Sequence, residues 1–423
     1  MMETKERKER AILVGIDFAK SDYRIEASMQ ELANLVDAAG AEVMAMTTQA
    51  RERRDSATYI GSGKVAEVAA LVEAYEADMV VFNGELSGSQ TRNLEALIGV
   101  KIVDRTNLIL DIFAGRANTK EGMLQVQLAQ LKYRLPRLVG YSDYLSRQGG
   151  GIGTRGPGEQ KLETDKRHIQ RNITHIQNEL EKVVGHRETT RKQRLKSSLP
   201  IIALVGYTNA GKSTIMNGIL THSGETKTVE AKDMLFATLD TTLRRARLNN
   251  NQSIVLTDTV GFVSNLPHAL VAAFKSTLEE IRFADVILHV VDASNPDLDI
   301  QMDTTEAIMR DLEVLNKPII TVYNKVDLAT EVDYPVGYTM SNRVYMSAHN
   351  PEDIDLLIDL IEDALADKFK KASVFLKFED LGILDYFAST YDIGDIEYDE
   401  KGAHFKVVLT QEDYERFAQY IVK

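Results

Sequence analysis

Neither cysteine nor tryptophan occurs among the 423 residues of the chain. With no thiol there is no disulfide, no thiolate metal ligand and no cysteine nucleophile. The eight histidines are scattered without metal-ligand spacing. Long apolar runs are missing too: none approaches the roughly 18 residues that mark a membrane helix, and Met1-Met-Glu-Thr-Lys-Glu-Arg7 has no signal-peptide pattern. A cytoplasmic monomer with no membrane span is therefore expected. Hydrophobic content of 44% and charged content of 27% are ordinary for a soluble protein, and the length suits roughly two to four domains.

Positive charge is scarce overall, for a net −13, but it is unevenly spread. From Leu131 to Pro200 there are 15 Lys/Arg against 7 Asp/Glu, a net +8 that leaves −21 for the rest. Such asymmetry points to a surface for a phosphate backbone, although a solvated charged helix would give the same count. Leu124, Leu128, Leu131 and Leu135 recur at steps of 4, 3 and 4; Leu162, Ile169, Ile173, Ile176, Leu180 and Val183 recur at steps of 7, 4, 3, 4 and 3. Both are helical stripes, and the second is a heptad seam. Joined by a loop, they predict an antiparallel coiled-coil hairpin. The loop, Gln148 to Gly158, has six glycines and only Ile152 and Pro157 as apolar residues. It cannot bury a core, so it is expected to order against a partner. Arg147, Arg155, Lys161, Arg167 and Arg171 are the candidate RNA contacts. Gly151-Ile-Gly153-Thr-Arg-Gly156 has G-x-G-x-x-G spacing, but no strand precedes it, so a dinucleotide site is not expected. Gly61-Ser-Gly63-Lys64, half a P-loop, is taken as a turn.

Gly206-Tyr-Thr-Asn-Ala-Gly211-Lys212-Ser213 fits the P-loop pattern G-x-x-x-x-G-K-[ST]. An apolar strand, Ile201 to Val205, precedes it, and a helix is expected from Thr214 on. Glycines let the backbone wrap around phosphates, whose charge then meets amide N–H groups at a helix N-terminus. Gly206, Asn209, Ala210, Gly211, Lys212, Ser213 and Thr214 form the expected cradle. Lys212 would reach the β- and γ-phosphates, and Ser213 would hold Mg²⁺. A second apolar strand, Pro318 to Tyr323, ends in Asn324-Lys325-Val326-Asp327. A carboxylate in the plane of the base accepts from guanine N1–H and its exocyclic amine together, a donor pair adenine lacks, so Asp327 selects guanine. Asn324 would support the base edge, the Lys325 stem would cover the base, and Ser347-Ala348 would offer a backbone N–H to guanine O6.

Strand Ile254 to Thr257 ends in Asp258-Thr-Val-Gly261. Asp258 would hold Mg²⁺ through water, and the Gly261 N–H would meet the γ-phosphate. Phe236-Ala237-Thr238-Leu239-Asp240 carries the candidate switch threonine, Thr238, with Thr241 and Thr242 as rivals. Its hydroxyl would complete the Mg²⁺ shell only while the γ-phosphate is present, an order–disorder switch. Lys212, Thr238 and Gly261 are thus the catalytic candidates. Phe262 stands where many GTPases have a water-orienting glutamine; it has no polar atom, so intrinsic hydrolysis should be slow unless something else positions water. Asn209 occupies the position it has in potassium-activated GTPases and could hold K⁺ beside the phosphates. A partner that orders the switches is the rival explanation.

The N-terminal segment alternates strand (Ala11 to Ile16), helix (Met29 to Ala39), strand (Glu42 to Thr47), helix (Lys64 to Ala77) and strand (Asp78 to Phe82), as a small parallel sheet does. Glu85, Arg92, Asp104 and Arg105 could bind a ligand there, but surface or structural roles are favoured. After about residue 371 come a strand (Val374 to Phe378), a helix (Leu381 to Tyr391), a hairpin through Glu400 to Ala403, and a helix from Gln411. Four segments result: an N-terminal α/β domain (1–117), the basic hairpin (118–198), a P-loop GTPase domain with a mostly parallel doubly wound sheet (199–370), and a C-terminal α+β domain (371–423).

Nearly the whole chain resembles the HflX-type GTPases. The resemblance rests on Thr58-Tyr-Ile-Gly-Ser-Gly-Lys64, Glu85-Leu-Ser-Gly-Ser-Gln-Thr-Arg92, Asp104-Arg-Thr106 with Leu108 to Ala114, Leu124-Gln-Val-Gln-Leu-Ala-Gln-Leu-Lys-Tyr133, the glycine loop and Phe236 to Asp240. Met123 and Gln127 depart from the charged residues expected there, and the last 53 residues match more loosely. The resemblance implies binding to the large ribosomal subunit and splitting of stalled or idle ribosomes. The hairpin would reach ribosomal RNA near the peptidyl-transferase centre, and the GTPase domain would meet the ribosome's GTPase-activating region. A GTP-gated large-subunit assembly or RNA-chaperone factor is the alternative.

Overall fold

The computed structural model describes residues 7–18, 24–139, 157–195, 199–224, 242–250, 252–259, 261–262, 279–329, 339–340, 342–366, 368–391 and 393–422. The chain divides into two compact units, the first running through Lys182 and the second starting at Val183.

In the first unit, β1 (Arg10–Asp17), α1 (Ile25–Ala38), β2 (Glu42–Ala50), α2 (Ser62–Tyr75), β3 (Met79–Phe82), α3 (Gly88–Ile98), β4 (Lys101–Asp104) and α4 (Arg105–Arg116) follow in order. The strands form a parallel sheet in the order β2-β1-β3-β4. The expected strands and first two helices are present; α3 and β4 extend the pattern. Ser87 caps α3 in a capping box with Gln90. Asp104 caps α4, accepting from Asn107 N–H at 2.8 Å, and also accepts from Leu86 N–H at 2.9 Å. Arg105 is buried against Glu31 and donates to Asn83 at 2.9 Å. These two residues are therefore structural. Gly61 precedes α2, and the Lys64 ammonium is bonded to Glu67 and Thr47, so this half-motif is a helix start.

The hairpin is formed by α5 (Lys120–Val139) and α6 (Pro157–Leu195). Leu124, Leu128, Leu131 and Leu135 pack with Ile169, Ile173, Ile176 and Leu180, the two predicted stripes facing each other. Lys120 pairs with Glu179 at 3.4 Å, so the start of one helix meets the far part of the other: the pair is antiparallel. The glycine loop lies outside the described residues.

The second unit contains β5 (Ile201–Gly206), α7 (Lys212–His222), β6 (Thr242–Arg247), β7 (Ser253–Asp258), β8 (Val286–Asp292), α8 (Leu298–Asp311), β9 (Ile319–Asn324), β10 (Thr339–Met340), β11 (Arg343–Tyr345) and α9 (Pro351–Leu365). Its sheet order is β10-β11-β9-β8-β5-β7-β6, parallel except for the edge strands β10 and β6. Central strands buried on both faces are near-continuous apolar runs, and β5, β7, β8 and β9 are of this kind. The carboxyl ends of these four strands share one edge, where ligands of open α/β sheets bind. A smaller sheet, β13-β14-β12-β15, follows: β12 (Phe369–Lys377), β13 (Glu397–Tyr398), β14 (Gly402–Thr410) and β15 (Ile421–Val422), with α10 (Leu384–Thr390) and α11 (Gln411–Arg416). Its core is Val374, Leu376, Phe387, Phe405, Leu409 and their neighbours.

Candidate nucleotide-binding site

Gly206 to Thr214 joins the end of β5 to the start of α7. Gly211 has φ of 94°, and a Cβ there would collide with the Asn324 amide, so this position tolerates only glycine. Asn209 takes φ of 62°, a left-handed conformation that asparagine accepts more readily than most residues. Lys212 is buried, and its ammonium donates to the carbonyls of Gly206 (3.1 Å) and Tyr207 (2.7 Å). Burial pushes its pKa down to about 8, with the Asp258 carboxylate opposing. An anion at the head of α7 would favour the ammonium and raise that pKa again.

Ser213 donates to Asp258, at the end of β7, at 2.8 Å. Asp258 is fully buried. A hydroxyl and a carboxylate side by side form the hard-oxygen donor set that suits Mg²⁺. Among the described residues no cluster of three or more His, Cys, Asp or Glu could hold a metal alone, so phosphate oxygens or water would complete such a shell.

Gly261 closes on the P-loop so tightly that a Cβ would lie 2.8 Å from Thr208 Cα and 3.0 Å from Lys212 Nζ. Phe262 is bridged to Tyr207: its N–H donates to Gly206 O at 3.2 Å, and its carbonyl accepts from Thr208 N–H at 2.7 Å. Its ring is 1% exposed. Phe262 is thus a core residue that fixes the chain after Gly261 to the P-loop. Phe236, Ala237, Thr238, Leu239 and Asp240 lie outside the described residues.

Asn324, at the end of β9 and 2% exposed, joins two loops. Its amide donates to Ala210 O at 2.9 Å, and its oxygen accepts from Ala348 N–H at 2.9 Å. Ser347 N–H donates to Asp353 at 2.8 Å. Both amides proposed for the base are therefore engaged, and a base oxygen would share the Ala348 N–H with Asn324. Lys325 has φ of 63° and reaches Asp292, at the end of β8, at 2.8 Å. Asp327 is exposed in a short 3-10 turn, Val326–Leu328. Asp292 and Asp353, which hold the candidate residues Lys325 and Ser347, are partners that sequence reasoning missed. Asp292 had a findable signal, since it ends an apolar run as Asp258 does.

Of the candidate RNA contacts, Arg167 and Arg171 are exposed on α6, and Arg167 pairs with Glu163 at 2.6 Å. Lys161 is described only in its backbone, within α6, and Arg147 and Arg155 lie outside the described residues.

A parallel sheet whose strand ends gather a P-loop, a buried carboxylate and an Asn-Lys-x-Asp turn defines a P-loop GTPase. Three family descriptions match successive parts of the chain: GTP-binding GTPase N-terminal over residues 26–114, GTP-binding GTPase Middle Region over 116–194, and 50S ribosome-binding GTPase over 201–325. The GTPase HflX of Caldanaerobacter subterraneus subsp. tengcongensis is 48% identical over 423 residues, which cover 100% of this chain and 96% of that one. The GTPase HflX of Escherichia coli is 42% identical over 369 residues, 86% of this chain and 85% of that one. A solved GTP-binding protein of Sulfolobus solfataricus in complex with GDP is 24% identical, covering 84% of this chain and 98% of that one, with a TM-score of 0.44. The chain belongs to the HflX family of GTPases. It binds GTP and GDP and hydrolyses GTP, with the Mg²⁺ dependence general to such enzymes. No helix among the described residues is long and apolar enough to cross a membrane.

Proposed function

We propose that this GTPase engages the large ribosomal subunit and uses GTP to split stalled or idle ribosomes. The observation that carries the reading is the match of residues 201–325 to a family described as 50S ribosome-binding GTPases, within a full-length likeness to HflX proteins. Splitting follows from the family resemblance, and the long basic hairpin is a suitable arm for ribosomal RNA. The division of labour among segments 1–117, 118–198, 199–370 and 371–423 belongs to the same proposal, as do a cytoplasmic, partly ribosome-associated location and a monomeric state.

Within the site, Lys212 would neutralise the β- and γ-phosphates, losing its two carbonyl partners as it turns to them. Ser213, Asp258 and Thr238 would hold Mg²⁺, which supplies charge neutralisation when bound. Gly261 would present its N–H to the γ-phosphate. Asp327 would select guanine, with Asn324 bracing the P-loop against the base loop and Lys325 covering the base. Since Phe262 is committed to the core, water must be positioned by another agent. A K⁺ ion held in part by Asn209, the ribosome, or both would do this.

Large subunits mixed with the protein and a non-hydrolysable GTP analogue test the hairpin's part by co-sedimentation. Replacing Arg147, Arg155 and Lys161 by alanine should weaken binding and flatten its salt dependence, with nucleotide binding intact. Undiminished binding after that change and deletion of 149–158 would make the hairpin a brace and overturn its role.

A further inference from the structure

The C-terminal sheet has a charged outer face that the nucleotide site does not use. Lys371 and Ser373 of β12 pair in register with Val408 and Lys406 of β14. The alternate residues Ala372, Val374, Val407 and Leu409 belong to the core, so Lys371, Ser373 and Lys406 face away from it. Between this face and the turn that joins β6 to β7 lies a cleft of about 530 Å³, lined by Arg247, Asn250, Lys371, Ser373, Asp395 and Lys406.

The walls of the cleft are tied to one helix. Asn249 donates to Asp359 at 3.3 Å and Asn250 N–H to Glu362 at 2.8 Å, both on α9. That helix leads directly into β12, whose first residue, Phe369, packs on the core of the GTPase sheet. The cleft is therefore a built feature of the second unit. Its charge is out of keeping with a chain of net −13: exposed Arg247, Lys371 and Lys406 line it together with one carboxylate, Asp395. Among the described residues Lys371 and Lys406 form no ion pair.

One register step along the same face, about 7 Å on, Phe375 pairs with His404. Their rings stack at 4.4 Å between centroids. The His404 side chain is 44% exposed and anchored by Asp399 at 3.0 Å. Exposed Lys377 follows one step further. Along β12 and β14 cations thus flank an aromatic pair at intervals near the length of a nucleotide, with exposed Glu397 of β13 beside His404 at the edge; a backbone-tracking groove with a stacking platform suits single strands. An acidic polypeptide would satisfy the lysines but leave the rings without a use.

We propose that this cleft and sheet face bind single-stranded RNA, with phosphates among Arg247, Lys371 and Lys406 and a base against the Phe375–His404 pair. No residue of the hairpin belongs to this surface, and none of its contacts calls for a ribosome.

The test is fluorescence anisotropy of a labelled oligouridine RNA with the full chain, as salt is varied. Lys371→Glu with Lys406→Glu should weaken binding at least tenfold, and the slope of log affinity against log salt should fall by about 1.4, since each phosphate contact on a single strand contributes about 0.7. Phe375→Ala should cost about fivefold or more, the scale of one lost base stack. GDP affinity should stay unchanged in every variant, which also reports that the GTPase domain is folded. Crosslinks from thiouridine-substituted RNA should map to 369–377 and 402–410. Wild-type affinity in the double lysine variant would overturn the proposal. So would loss of binding only in an Arg167→Glu, Arg171→Glu hairpin variant, or displacement of the RNA by polyglutamate at equal charge.

Discussion

Replacing Asn324 with alanine is the sharpest perturbation of the nucleotide site, because one buried side chain holds two loops there. The change removes two hydrogen bonds of 2.9 Å each, to Ala210 O and from Ala348 N–H. Ala210 is fully buried and Ala348 nearly so, and an unsatisfied buried polar group costs about 1–3 kcal/mol. Two such groups give a destabilisation of about 2–4 kcal/mol, allowing for partial rescue by water. For a domain of this size, about 2–4 °C is lost per kcal/mol, so the nucleotide-free GTPase domain should melt about 5 °C lower or more. Nucleotide affinity should fall at least tenfold, because the P-loop and base loop are no longer held in register. Calorimetry of the melt, with a titration of a fluorescent GDP analogue, measures both effects; a chain without tryptophan offers no intrinsic tryptophan signal. Asn324→Asp sharpens the test. It keeps an acceptor for Ala348 N–H but turns a carboxylate oxygen toward Ala210 O, so it should be at least as damaging as alanine. A melting point within about 1 °C of wild type for both variants would refute the bracing role.

His289, buried in β8, has its pKa lowered to about 4 from 6.5 by burial. As pH falls from 6.5 to about 4 the unfolded chain gains a proton that the folded one refuses, so up to about 3 kcal/mol of stability should be lost in that window. His289→Phe should remove that dependence from urea melts; an unchanged pH profile would count against it. Asp327→Asn should cost GTP at least about 2 kcal/mol of binding and shift preference toward xanthine nucleotides, and equal GTP affinity in a titration would dismiss the guanine assignment. GTP turnover should be faster in potassium than in sodium at matched ionic strength, and Asn209→Ala should abolish the difference while GTP affinity is retained. Equal rates in both salts would dismiss the cation.

The parts of the site legible in the sequence are those that local chemistry dictates. The P-loop, Asp258 and Asn324 each close a buried parallel strand whose side chains are nearly all apolar, a signal that needs no tertiary context. The hairpin seam was equally plain, because a heptad pattern has few other uses. β8 is absent from the strands read in the sequence, and His289 interrupts its apolar run. β6 carries Arg244, Arg245 and Arg247 in six residues and is a strand only because it pairs with β7 at the sheet edge. In the C-terminal domain, β12 begins at Phe369 rather than Val374, and the expected single helix is a 3-10 stretch, Phe378–Ile383, followed by the short α10. Lys370 and Lys371 disguise the start of that strand. The Asp292–Lys325 ion pair spans 33 residues and has no local signature. Side-chain partners of this kind are set by the sheet order, which a single sequence does not display.

Sedimentation shows whether GTP drives this protein to part the ribosomal subunits. Intact ribosomes would be incubated with the protein and GTP, with GDP in a parallel sample, and resolved on a gradient. Free subunits should accumulate with GTP, the protein should travel with the large subunit, and Lys212→Ala should abolish the effect. Ribosomes that stay intact, with the protein bound only to free subunits or their precursors, would contradict splitting and favour an assembly role.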